Sequence, residues 1–131
     1  MLGGSILLDF YGVKEEKFHD SRYMEDILKQ VILHSGLTLL KISTFQFETR
    51  NTSLNNDTQK GGMTGYAMLA ESHISIHTWP EYQKVTLDIY TCGDPEKAEH
   101  ALSYLLKTIK YEYYTEKRVE RGVDIQQEVE L

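Results

Sequence analysis

His73-Ile74-Ser75-Ile76-His77-Thr78-Trp79, then Pro80-Glu81, then Lys84-Val85-Thr86-Leu87-Asp88-Ile89-Tyr90-Thr91-Cys92, is the stretch on which the fold turns. Apolar and polar residues alternate along both runs. A period of two is the signature of strands with one buried face. In the first run Ile74, Ile76 and Thr78 share a face, and His73, Ser75 and His77 share the other. In the second, Val85, Leu87 and Ile89 point one way. Thr86, Asp88, Tyr90 and Cys92 point the other, provided the strand runs unbroken to its end. A turn around Pro80-Glu81 links the two runs, and their polar faces coincide provided the two are hairpin partners.

Outward from this hairpin, Ser5 to Tyr11 reads as a first strand closed by Gly12. Asp20 or Ser21 caps a helix to about His34, with Met24, Ile27, Leu28 and Val31 at helical spacing and Gly36 at its end. Leu37 to Phe47 and Thr64 to Ala70 read as strands. Between them, Thr49 to Gly62 is a long polar loop. Asp94 and Pro95 open a second helix with a buried stripe of Ala98, Ala101, Leu102, Leu105 and Ile109. Lys110 to Val119 is a last strand, and the acidic tail from Asp124 is expected to fray. Adjacent strands interrupted by helices predict an α+β fold: a two-layer sandwich, its antiparallel sheet covered by helices on one face.

With 131 residues the chain suits a single domain, 1–131. A net charge of −6 disfavours a nucleic-acid partner, which needs a basic face. The lone Cys92 excludes an internal disulfide and suits a reducing, cytoplasmic setting. The N-terminal residues carry no basic leader and too short an apolar run to cross a membrane.

The polar faces admit two readings. One is a solvated sheet face. The other is a site, because His, Ser and Cys transfer protons or attack carbon rather than merely dissolve. A shared metal ion is disfavoured, since His73 and His77 stand roughly 13 Å apart along a strand. Cysteine nucleophilic catalysis has no local motif behind it.

Glu71-Ser72-His73-Ile74-Ser75-Ile76-His77-Thr78-Trp79-Pro80-Glu81, with Thr91-Cys92-Gly93-Asp94, resembles the small prokaryotic S-adenosylmethionine decarboxylases. The resemblance runs from Asp9-Phe10-Tyr11-Gly12 through Phe47 and Thr64-Gly65 to this signature. It implies a proenzyme that cuts itself between Glu71 and Ser72. The Ser72 hydroxyl attacks the Glu71 carbonyl, the resulting ester eliminates, and Ser72 becomes a pyruvoyl group. His77 is implied as the processing assistant, with the Thr64 hydroxyl in support.

The pyruvoyl group is then the cofactor, with no metal. It forms a Schiff base with the substrate amine and takes up the electrons freed as carbon dioxide leaves. Cys92 is implied as the general acid. Glu81 matches a carboxylate that bonds ribose hydroxyls, and Phe47 a ring that stacks on adenine. The implied product is the aminopropyl donor for spermidine, and the implied assembly is a homodimer of processed protomers.

The segment between Phe47 and Thr64 is about ten residues longer than the family pattern, in a region where short connections are the rule. Thr44-Phe45-Gln46 stands where a histidine is usual. These departures face the substrate. They leave open a basic amino acid, arginine or ornithine, as substrate, and an inactive partner subunit as a further alternative.

Overall fold

The computed structural model describes residues 3–51 and 58–122. The eight strands are β1 (Gly3–Tyr11), β2 (Leu39–Gln46), β3 (Arg50–Asn51), β4 (Thr58–Gln59), β5 (Met63–Leu69), β6 (Ser72–Trp79), β7 (Lys84–Thr91) and β8 (Tyr113–Arg121). The helices are α1 (Ser21–Ser35) and α2 (Pro95–Thr108). Six strands form one sheet in the order β2-β5-β6-β7-β1-β8, every neighbour antiparallel. The hairpin that opened the sequence reading is its centre. The Ile74↔Ile89 and Ile76↔Leu87 pairs lie directly opposite, as the alternation requires.

One face of the sheet carries Ile6, Leu8 and Phe10 of β1, Met63 and Ala67 of β5, Ile74 and Ile76 of β6, and Val85, Leu87 and Ile89 of β7, all buried. Both helices lie against this face. They contribute Met24, Leu28 and Val31 from α1 and Ala101, Leu102 and Leu105 from α2. This is the expected two-layer α+β sandwich. Asp20 caps α1 by accepting from Arg22 and Tyr23 N–H, and Gly36 closes it at φ 79°. Asp94 caps α2 by accepting from Glu96 N–H. The opposite sheet face has no helix and exposes Phe45, Tyr66, Met68, Tyr113 and Val119.

Several boundaries differ from the sequence reading; β1, β5 and β6 are displaced by only one or two residues, and the larger differences are these. β2 is shorter at both ends, and a register shift between Leu39 and Lys41 disturbs its start. The 49–62 loop includes the short β3–β4 ladder, Arg50↔Gln59 and Asn51↔Thr58. β8 begins at Tyr113 rather than Lys110 and runs on to Arg121. Its extent follows β1, with which it pairs from Tyr11↔Tyr113 to Gly3↔Arg121. β7 ends at Thr91, so Cys92 lies just past the strand. The tail from Asp124 falls outside the described residues.

Candidate active site

β5 and β6 are joined by Ala70-Glu71, and Glu71 is forced to φ 63°. This left-handed region is uncommon for a residue with a Cβ. Among the described residues only Gln83 shares the condition. Strain of this kind costs on the order of 1–3 kcal/mol and concentrates at functional positions. Here it lies at the peptide bond that the sequence marks for cleavage. No signal in the sequence announces it, because glutamate is not a turn residue of this type.

Ser72 opens β6, paired with Leu69 on one side and Thr91 on the other. Its Oγ accepts the Cys92 N–H at 3.3 Å. The Cys92 sulfur and the Tyr90 hydroxyl are hydrogen-bonded at 2.9 Å. This bond raises the Tyr90 pKa above its ordinary 10.0, so the phenol stays protonated. The Tyr90 ring lies 5.3 Å from the His73 ring, and the Arg121 guanidinium sits 5.6 Å from it on the other strand edge. Tyr66 stacks on His73 at 5.5 Å. His73, the residue after Ser72, is thus held between two tyrosines.

The second cluster stands at the other end of the sheet. Thr64 and His77 are direct cross-strand partners, and Thr64 Oγ1 lies 2.8 Å from His77 Nδ1. The sequence reading anticipated both residues, and the structure brings them together. It does not bring them to Ser72. His77 lies five steps along the strand from Ser72, roughly 16 Å at 3.3 Å per residue. The two also sit at positions of opposite parity, because Ser72 falls in one row with Leu69 and Thr91, which face the helices.

Glu81 and Phe47 join the His77 end. Both line one cavity of about 650 Å³, together with Phe45, Lys60, Gly62 and Trp79. Phe45 and Phe47 pack edge to face at 5.1 Å and both stay half exposed. Such rings suit stacking on a planar ligand. Glu81 sits in a 3-10 turn, Pro80–Tyr82, directly after β6.

Gln46, noted in the sequence only within a departure from the family pattern, anchors residues that line this cavity. The Gln46 amide nitrogen donates to the carbonyls of His19 at 3.1 Å, Gly61 at 2.9 Å and Gly62 at 2.9 Å. Its Oε1 accepts from Ser21 N–H at 2.6 Å. Gln46 therefore ties the start of α1 to the glycine pair that ends the long loop. The glycines are needed there: a Cβ on Gly62 would stand 2.0 Å from the Thr78 carbonyl oxygen, and one on Gly61 2.4 Å from the Phe47 carbonyl oxygen. Beside this network His19 is buried, with Nε2 at 2.8 Å from the Val13 carbonyl, and burial lowers its pKa from 6.5. Among the described residues no group of three or more His, Cys, Asp or Glu side chains converges as a metal site does.

Comparison with known proteins bears on the same signature. The family model described as S-adenosylmethionine decarboxylase matches residues 4–122. The chain belongs to the S-adenosylmethionine decarboxylase family. It is 37% identical over 130 residues to the S-adenosylmethionine decarboxylase proenzyme of Picrophilus torridus, covering 99% of this chain and 92% of the relative. The proenzyme of Aquifex aeolicus is 38% identical over 122 residues, covering 93% and 82%. The crystal structure of adenosylmethionine decarboxylase from Aquifex aeolicus superposes with a TM-score of 0.77 at 35% identity. It covers 93% of this chain and 92% of that one. The family's fold is therefore shared across nearly the whole chain, including both ends of the sheet.

Proposed function

We propose that the chain is a self-processing, pyruvoyl-dependent S-adenosylmethionine decarboxylase. The observation that carries this reading is the Glu71-Ser72 turn. A strained, left-handed Glu71 precedes a serine whose oxygen is already oriented by the Cys92 N–H. Serine is a weak nucleophile, and a fixed geometry supplies the reactivity that its ordinary pKa does not. Ser72 attacks the Glu71 carbonyl carbon and the peptide bond becomes an ester. Elimination then breaks the Ser72 Cβ–Oγ bond. The Ser72 α-proton passes to a base as Oγ leaves in the Glu71 carboxylate. The dehydroalanine left behind tautomerises to an imine, and water displaces its nitrogen as ammonia, giving the pyruvoyl group on the chain that continues at His73. When in place, that group supplies the electron sink that decarboxylation requires.

The chain's own residues divide the remaining work. Cys92, next to Ser72, supplies the proton that replaces carbon dioxide at the substrate carbon. Glu81 accepts hydrogen bonds from the ribose hydroxyls, and Phe47 stacks on the adenine. His77, with Thr64 on its Nδ1, moves the proton during processing.

The roughly 16 Å between Ser72 and His77 supports a homodimer as the working form. A second copy related by a two-fold axis sets Thr64, His77, Glu81 and Phe47 of one chain against Ser72 and Cys92 of the other. The symmetry builds this composite site twice. The uncovered sheet face, with exposed Phe45, Tyr66, Met68 and Val119, is the surface suited to that pairing.

Two measurements on purified protein test the reading. Denaturing mass spectrometry should find two pieces, one ending at Glu71. Carbon dioxide release should be measured from S-adenosylmethionine, arginine and ornithine side by side, with release from the first alone expected. Release from an amino acid instead overturns the substrate assignment. An intact chain that releases nothing overturns the enzyme.

A further inference from the structure

We propose that Tyr90 is a positioning residue for Cys92, its hydroxyl holding the thiol at the Ser72 end of the sheet. The inference rests on the reading of Cys92 as the proton donor, and asks what aims a side chain that the sheet itself does not hold. Cys92 lies beyond the last residue of β7, outside its ladder. Gly93 follows at φ 135° with nothing within 4 Å of where a Cβ would stand, so no packing confines the segment on that side.

Two hydrogen bonds tie Cys92 down: its N–H to Ser72 Oγ, and its thiol to Tyr90 Oη. Processing removes the first. Ser72 Oγ is the atom that leaves with Glu71, so the Cys92 N–H loses that partner when the enzyme matures. The Tyr90 bond survives, because neither of its atoms takes part in cleavage.

Tyr90 is suited to the task. It sits inside β7, which has β6 on one side and β1 on the other. Its ring is held between the His73 ring and the Arg121 guanidinium. A side chain locked on a strand places its partner better than a loop does. The phenol stays neutral, since the thiol bond raises its pKa. It therefore holds the thiol without adding a charge to the site.

Tyr90→Phe keeps the ring against His73 and Arg121 and removes only the hydroxyl. The full chain carrying it should cleave to completion and bind S-adenosylmethionine with unchanged KM. Its kcat should fall about tenfold, the factor that one neutral hydrogen bond commonly carries. In a Cys92→Ala background the same substitution should lower kcat no further, because coupled residues are non-additive. Iodoacetamide labelling of Cys92, followed by mass, should run several-fold faster in Tyr90→Phe and reads the thiol without reference to turnover.

Wild-type kcat together with wild-type labelling in Tyr90→Phe overturns the proposal. So does an equal loss of kcat in both backgrounds, which places Tyr90 on a path of its own. Undiminished turnover in Cys92→Ala alone removes the reading of Cys92 and the proposal with it. That result is distinguishable, since it appears before Tyr90 is touched.

Discussion

On the proposed function, the two ends of the sheet hold the two halves of one chemistry, and they are built in opposite ways. At the Ser72 end, the groups come from one turn and from the end of the adjacent strand. Glu71 and Ser72 are neighbours, and Thr91 pairs with Ser72, so Cys92 arrives by register. At the His77 end, the groups come from segments far apart in sequence. Phe47, Gly62 and Glu81 meet because Gln46 and close backbone contacts draw them together. The first end stores its function in backbone strain, the second in a hydrogen-bonded wall. The first therefore needs few residues to be right. The second tolerates an altered loop only while its stem is anchored.

The sharpest way to break this comparison is to separate the ends genetically. Ser72→Ala and His77→Ala should each lower decarboxylation by roughly a thousandfold or more, the first by removing the nucleophile and the second the proton carrier. Co-expressed and co-purified, the two variants should recover about a quarter of the wild-type rate. Half the dimers are then hybrids, and each hybrid has one intact composite site of two. Mass spectrometry should show cleavage only of chains carrying the intact Ser72. A mixture as inactive as its parents would place both ends of the site in a single chain.

How much of this was legible follows the same division. The alternation at Ile74, Ile76, Val85, Leu87 and Ile89 was enough for the central hairpin, since a period of two with a proline turn admits few other folds. Asp20, Gly36, Asp94 and Pro95 marked both helices, because caps are local chemistry. Thr64 and His77 were named from the family signature, and the register makes them partners. What remained hidden was long-range. Nothing in residues 3–11 says that β1 lies between β7 and β8, because pairing between distant strands leaves no local pattern. Gln46 reads as one more polar residue on a strand until His19, Gly61 and Gly62 converge on it. Glu71 shows no sign of its left-handed turn, as the strain is imposed by the hairpin around it.

A smaller effect sharpens the account of the wall. Gln46→Ala leaves the carbonyls of His19, Gly61 and Gly62 and the Ser21 N–H short of that partner. The cost should be about 2 kcal/mol in urea unfolding, the scale of under-satisfied polar groups in a partly buried site. KM for S-adenosylmethionine should rise about tenfold as the glycine pair shifts, because every 1.4 kcal/mol of lost binding is one decade. Self-cleavage should still reach completion, since Gln46 touches none of the groups at Ser72. An unchanged KM would mean that the loop stem holds its place without the glutamine.

The smallest expected effect concerns the same anchor from the helix side. Asp20 caps α1 and meets Lys60 at 3.2 Å. The Tyr23 N–H bond, with Lys60 in support, lowers the Asp20 pKa below its ordinary 3.8. A carboxyl whose pKa is depressed in the folded state binds fewer protons there than in the unfolded chain. Its contribution is therefore fully present above the unfolded value and disappears as the pH falls through the folded one. Asp20→Asn retains the cap, because asparagine accepts the same N–H bonds, but it cannot titrate. At neutral pH the variant should lose well under ~1 kcal/mol, chiefly the half-exposed pairing with Lys60. Below about pH 4 its stability should fall less steeply than that of the parent chain. Parallel acid-unfolding curves for the two would show that the cap works through its geometry alone and that its charge contributes nothing to holding the loop stem against α1.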